Sequence, residues 1–467
     1  LTVVAGIIAC ELSLLWRVVE FGPLSMTMGK WLPPFGISFT ADVFGASFAL
    51  AAAVVSFIVL LYAQADRPPA SSGDGFHSLV LLLLAGVTGS FLTGDLFNLY
   101  VWFEVMLISS FGLLVIGGRP IQLDGAVKYG FLNFLATTIF LLALGLLYGL
   151  LGTLNMADIL RVAPQANAAA MVGVAALMLL AFGMKAAAFP VNAWLPASYH
   201  APPAAVSALM AGLLTKVGIY AMLRTLVVLL PTTHDVLEPV LLLVAVATLL
   251  LSPLGAIAET NLRRAIGFIV MGGIGAVMAG LAMPSLTGVS GAGLYIFHAM
   301  LTMTALYLVA GLIEKQTGET DSRRMGGLYA TSAPLSILFL VLMLGAAGVP
   351  PLLGFWPKLL LIQAGLAEGS WRGDLLVLAL LANAVLTMIA ASRLWAHIFW
   401  RADFTPEQPP SEPPARLHYL ATGMLALLII AAGLWPNPMF EAVQIGAGDM
   451  VDPGRYTAAF GLAEVTP

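Results

Sequence analysis

Apolar residues run through this chain in blocks and not in alternation. Stretches such as Leu79 to Leu92 and Val240 to Leu251 are apolar on every side. They show neither the two-residue period of a half-buried strand nor the single stripe of a surface helix. Blocks of about twenty such residues predict helices that cross a ~30 Å hydrocarbon layer, where each backbone polar group must be paired within its own helix. Breaks at Gly, Pro and charged clusters give thirteen predicted spans, near residues 1–16, 43–63, 77–94, 96–117, 125–151, 168–189, 202–230, 236–257, 262–282, 290–313, 333–366, 374–400 and 416–435. A lipid-facing barrel would need ~10-residue segments of alternating polarity. The predicted fold class is therefore an all-α membrane protein.

Two of these spans are interrupted by proline, one at Pro190 and Pro196 in FPVNAWLP, the other at Pro350, Pro351 and Pro357 in VPPLLGFWP. Both predict broken helices, because proline lacks the N–H that continues a helix. The breaks share one pattern and lie 160 positions apart (Pro190, Pro350), which points to an internal duplication of five helices, a recurring transporter design. The expected division is N-terminal helices over 1–76, a first repeat over 77–230, a second over 236–400, and a C-terminal loop, last helix and tail over 401–467.

Composition agrees with the pattern: 60% of the 467 residues are hydrophobic and 9% charged, where soluble domains carry about a quarter. The net charge is -4 and no basic run interleaves with aromatics, which excludes a nucleic-acid partner. Cys10 is the single cysteine, so no intrachain disulfide or cysteine metal site forms. There is no Gly-rich dinucleotide loop and no His or Cys cluster, so neither a redox cofactor nor enzymatic chemistry is expected in this chain. Leu1 opens directly in an apolar run without a charged leader, which does not read as a secretory signal. One further helix is expected to precede it.

Orientation follows from Lys and Arg in the connecting loops. If loops alternate sides, one side holds eleven (Arg67, Arg119, Lys128, Arg263, Arg264, Lys315, Arg323, Arg324, Arg393, Arg401, Arg416) and the other six (Arg17, Lys30, Arg161, Arg224, Arg372, Arg455). The first side is expected to be cytoplasmic, leaving the C-terminus outside.

The informative residues are the charges inside the blocks. Of six lysines, Lys185, Lys216 and Lys358 fall within apolar spans, as does Glu104 in NLYVWFEVMLISSFG. An ionisable group at membrane depth costs several kcal/mol and normally faces a partner or water on a transport path. Burial disfavours a charged lysine and a nearby carboxylate favours it, so a lysine that moves relative to its acid can switch protonation. The bland readings are a static Glu104–Lys185 ion pair, snorkelling of Lys216 to an interface, and backbone carbonyls holding Lys358 beside its break. His298, in GLYIFHAML, is either a packing residue or a relay member between Lys216 and Lys358, since imidazole titrates near neutral pH. Asp95, in LTGDLFN, reads as a turn or cap residue. His200 and Asn192 lie in the first break, where helix-end groups need partners, so both are expected to cap.

With Glu104, the stretch FGMKAAAFPVNAWLPASYHAPPAAVSALMAGLLTKVGIYAMLR (182–224) and GVPPLLGFWPK (348–358) in view, the chain resembles the antiporter-like subunits shared by complex I and Mrp-type cation/proton antiporters. The resemblance covers nearly the whole chain. It implies fourteen helices, including two inverted five-helix repeats with one broken helix each, so thirteen fit a chain lacking its first. It further implies that Glu104 and Lys185 form an acid–lysine pair, Lys216 a neighbouring relay lysine, and Lys358 the lysine of the second break. The partners implied are the other subunits of a hetero-oligomeric bacterial membrane complex that handles protons and sodium or another monovalent cation. The alternative within the family is a proton-pumping subunit of NADH-quinone oxidoreductase or of a membrane-bound hydrogenase. One departure stands out: five positions after His298, where the family often has Lys, this chain has Met303, so any link between the halves there passes through His298 or water.

Overall fold

The computed structural model describes residues 1–31, 35–66, 75–402 and 414–460. Among them, eleven helices are long and apolar enough to cross a membrane, from Thr2–Phe21 to Arg416–Leu434. Two further apolar helices, Phe76–Leu92 and Ala333–Ala347, are shorter, so length alone does not reach thirteen. Several helices start where the sequence offers a cap: the side chains of Asp42, Asp95, Asn167, Asn261, Ser285 and Ser370 each accept the backbone N–H three residues on, filling a donor the helix itself cannot.

Burial sorts the bundle. Ala204–Leu229, Leu262–Ala282 and Leu286–Thr317 are buried along nearly their whole length, while Thr2–Phe21 and Pro120–Leu151 turn most of their apolar surface outward. Lipid gives no hydrophobic drive between helices, so close approach rests on small residues. Gly212 illustrates this: a Cβ there would collide with Thr304 Oγ1 of the central Leu286–Thr317 helix.

Both predicted breaks are present. The first separates Ala168–Ala186 from Trp194–Tyr199, the second Ala333–Ala347 from Phe355–Glu368. A local pattern recurs around them. Asp95 pairs with Asn155 in an isolated antiparallel bridge and Asn261 pairs with Asp321 in another, each just before a long helix.

The two ends of the bundle differ. On one face the strands Leu24–Thr27 and Ser38–Ala41 form a hairpin that the apolar-block reading did not foresee. Ser38 holds it down, accepting from Gly94 N through its carbonyl and from Asn155 Nδ2 through its hydroxyl (2.9 and 2.8 Å). The expected C-terminal tail also contains a helix, Asn437–Val451. It crosses this hairpin face as a strap: Phe440 packs edge-on against Trp356 at the second break, and Gly446 lies against Phe44 near the first half. Arg224, counted above as a loop residue, is instead buried inside the Ala204–Leu229 helix and ion-paired with Asp42. Apolar-block boundaries alone cannot tell a buried paired arginine from a loop one. Arg67 lies outside the described residues.

On the opposite face, Asp66 receives both Lys315 Nζ and His418 Nε2, the latter at 2.9 Å. Ala415 N donates to His418 Nδ1, so the ring proton sits on Nε2, facing the carboxylate. Burial alone would raise Asp66, but the hydrogen bonds from His418 and Lys315 and the charge on Lys315 outweigh it and hold the carboxyl below its ordinary value. A depressed carboxyl contributes stability that is present above its unfolded value and lost as pH falls through the folded one. Asp66→Asn should therefore flatten the acid-side loss of thermal stability as pH falls below about 4, read from unfolding of the solubilised protein; an unchanged acid limb would remove Asp66 from the account.

Candidate functional site

The first buried lysine sits where its helix runs out. Ala187 takes left-handed backbone (φ +62°) and closes the Ala168–Ala186 helix onto the Gly183 and Met184 carbonyls. Met184 O also accepts Trp194 Nε1 (3.0 Å), and Phe189 N donates to Thr248 Oγ1 (3.1 Å), so the break is satisfied within the protein. His200 Nδ1 lies 3.0 Å from Pro196 O, the helix-end role expected of it, whereas Asn192 contributes its backbone carbonyl to Leu195 N (3.3 Å).

Lys185, in the last turn before the break, is buried, with its ammonium 4.9 Å from the centre of the Phe103 ring, a cation–π distance. Glu104 follows Phe103 in sequence and is close enough to act on Lys185 electrostatically. Among the described residues, however, no ion pair within 4 Å joins them. Glu104 is only half-buried and lies on the helix face that exposes Phe97, Val101, Ile108 and Phe111. The acid–lysine pair implied by resemblance is not an ion pair within 4 Å among the described residues; Lys185 stands instead over the Phe103 ring. The Ala204–Leu229 helix reaches this region through Gly218, whose missing Cβ makes room for Lys185 Cβ and Ala186 N (3.2 and 3.0 Å).

Lys216 is 1% exposed, which removes the snorkelling reading. The preceding segment Met210–Leu214 is wound as a π-helix, a distortion often found at functional sites. Lys216 Nζ donates to Ala211 O within it and to Thr215 Oγ1 (3.2 Å). No acid pairs with it among the described residues.

His298 is fully buried, on the central helix. Thr302 Oγ1 meets its Nδ1 at 3.1 Å, and its Nε2 has no partner among the described residues. Its free edge faces the second break at Gly354, where a Cβ would come within 2.8 Å of Nε2 and strike the Gly345 carbonyl. Gly354→Ala should therefore displace the break and cost roughly 1–3 kcal/mol, as overpacking a close approach does, read from the unfolding temperature in detergent; an unchanged temperature would show that the break tolerates a side chain there.

Lys358 Nζ donates to Ala347 O (2.8 Å), Ala346 O (3.4 Å) and Asn383 Oδ1 (3.5 Å). The carbonyl end of the Ala333–Ala347 helix carries partial negative charge, so the ammonium is held by backbone, as the bland reading expected. Asn383 in turn donates to Leu249 O (2.8 Å). Its polar amide inside the apolar run LALLANAVLT was the signal available in sequence. Met303 is buried and adds no ionisable group. Asp95 caps the Leu96–Val115 helix, accepting from Asn98 N at 2.8 Å, as expected of a turn residue. Among the described residues, no three His, Cys, Asp or Glu side chains are grouped to hold a metal.

Lys216, His298 and Lys358 are thus buried and, among the described residues, partnered by neutral hydroxyl, amide and carbonyl groups.

Residues 93–387 match the family described as NADH:quinone oxidoreductase/Mrp antiporter, TM. The D subunit of the Na(+)/H(+) antiporter of Bacillus subtilis is 34% identical over 447 residues, covering 96% of this chain and 90% of that one. Among solved structures, the chain resembles one in the Mrp complex from Dietzia sp. DQ12-45-1b (TM-score 0.90, 28% identity, 98% of this chain and 93% of that one). It also resembles one in the membrane-bound sulfane sulfur reductase, an archaeal respiratory membrane complex (TM-score 0.89, 27% identity, 98% and 93%).

Proposed function

Because this chain belongs to the NADH:quinone oxidoreductase/Mrp antiporter family of membrane subunits, we propose that it is the D-type, proton-carrying subunit of a multisubunit sodium/proton antiporter. Protons pass by a relay from Glu104 and Lys185 through Lys216 and His298 to Lys358, and their inward flow drives cation export in the assembled complex. The observation that supports this is that Lys185, Lys216, His298 and Lys358 are all buried, and that Lys216 and Lys358 are held by neutral groups and not by an acid among the described residues. A charge that must be desolvated at this depth is kept where it serves a path. Glu104 lies on an outward helix face, which supports its receiving a proton from outside this chain.

The chain is read as two inverted halves, 77–230 and 236–400, each with one broken helix and one Asp–Asn bridge, framed by 1–76 and 401–467. It is a multi-pass protein of the bacterial cell membrane, with the C-terminus outside, and performs no bond-making chemistry. The likeness to a respiratory complex keeps a proton-pumping subunit of a redox complex as the second reading; genes for small membrane subunits beside this one would favour the antiporter, genes for flavin or iron–sulfur subunits the other. Antiport by the assembled complex carrying Glu104→Ala or Lys216→Ala tests the relay. Full activity in both variants overturns it.

A further inference from the structure

We propose that Asp449, set against the buried Arg224–Asp42 pair, is an aqueous port of the proton path, where a proton carried inside this chain exchanges with water on the hairpin face.

The cluster stands apart from the relay described above. Asp42 is saturated: Oδ1 accepts Gly45 N (2.7 Å) as a helix cap and the other oxygen takes Arg224 Nη2. Arg224 is 3% exposed, shares Nη2 with Tyr220 Oη (2.7 Å), and lies over the rings of Tyr220 and Tyr456 (5.4 and 5.2 Å). An arginine does not give up its proton, so it fixes the local charge and does not carry it. Asp449, on the strap helix, is the group left open. It is 2% exposed; Oδ1 lies 3.3 Å from Arg455 Nη1, and Oδ2 has no partner among the described residues. Arg224 Nη1 is likewise buried and unpartnered among them, and the two side chains are within electrostatic reach of each other.

A buried carboxylate oxygen and a buried guanidinium N–H, both unsatisfied in one cluster, are exceptions to the rule that buried polar groups are paired. A purely structural ion pair would have been closed, as Asp42 is. Asp449 can instead take up a proton on its free oxygen and release it, its charge balanced by Arg224 inside and by half-exposed Arg455 at the rim. The charged groups within reach of it are Arg455, Asp42, Arg224 and Asp452; Tyr220 and Tyr456 pack on Arg224.

The inner end of this port leads to the relay. Lys216, Tyr220 and Arg224 are spaced four residues apart on one helix, which puts them on successive turns of a single face. Lys216 now leans back one turn onto Ala211; swung forward, its ammonium faces Tyr220 and the port. Lys216 would then choose between His298 and the hairpin face, which opens the relay to that face through the first half of the chain.

This inference rests on the proposed proton-carrying function, and the test separates the two. Sodium/proton antiport and its pH profile are measured in everted membrane vesicles holding the full complex, with Lys216→Ala as the control for the relay itself. Asp449→Asn is expected to lower the rate at least about tenfold, as removal of a positioned proton carrier does, at an unchanged amount of assembled complex. Asp449→Glu, which keeps the carboxyl, is expected to restore most of the rate and to shift the pH profile. An Asp449→Asn complex with parental rate and profile overturns the port, as does a loss that Glu does not restore, which marks a packing role. If Asp449→Asn prevents assembly, the Asp449→Glu profile decides: a shift supports the port, no shift overturns it. Parental activity in Lys216→Ala would strike the relay alone, and the port would then stand or fall by the Asp449 variants.

Discussion

Replacing Lys216 with Ala is expected to lower cation/proton antiport about a hundredfold or more while the complex assembles in normal amount, the size of effect seen when a positioned proton-transfer group is removed. The separation of rate from assembly follows from what the side chain touches. Its ammonium is held only by the Ala211 carbonyl and the Thr215 hydroxyl, so its loss leaves no buried acid without a counter-charge among the described residues. Alanine is also the residue that helix interiors tolerate best. The desolvation cost of a buried cation disappears with the side chain. Lys216→Arg should fail equally in transport, because a guanidinium keeps its charge but does not release its proton. Antiport with the arginine variant near the parental rate would mean that Lys216 supplies charge alone.

The second large effect is on stability and is expected at Arg224→Met. This substitution removes the cation from a pair whose members are 3% and 1% exposed, leaving the Asp42 carboxylate buried without its counter-ion, a change that costs about 3–5 kcal/mol. Asp42 cannot escape by turning outward, since its other oxygen is tied to Gly45 N at the start of the Val43–Ala63 helix. Recovery of the assembled complex and its unfolding temperature in detergent read the loss. Adding Asp42→Asn to Arg224→Met should regain much of it: the charge is gone and asparagine caps a helix about as well as aspartate. A double variant no more stable than Arg224→Met alone would show that packing of Tyr220 and Tyr456 on the guanidinium, not the ion pair, holds this end of the bundle.

Comparison of the two charged sets shows what can be seen in a sequence of this kind. Lys185, Lys216 and Lys358 announce themselves because each stands alone in an apolar run, and any single span that contains one must explain it. Arg224 stands near the end of its helix, where an outward loop arginine would also stand, and its partner Asp42 lies 182 positions away. Nothing local distinguishes the buried case. Asp449 hid for the same reason, in a short helix of modest hydropathy that apolar-block reading passes over. The Glu104–Lys185 relation was legible as a pairing of types; that Lys185 stands over the Phe103 ring depends on rotamers and helix rotation.

Residence in lipid, the places where helices start and break, and the ionisable groups too costly to be accidental can all be read along the chain, because hydropathy, proline and capping act over a few residues. Long-range packing alone sets His298 against Gly354 of the second break, lets carbonyls at a helix end hold Lys358, and buries Asp449 on the strap helix. Those relations join residues tens to hundreds of positions apart, and they are fixed by how closely glycine-lined helices approach one another, a quantity that no short stretch of sequence contains.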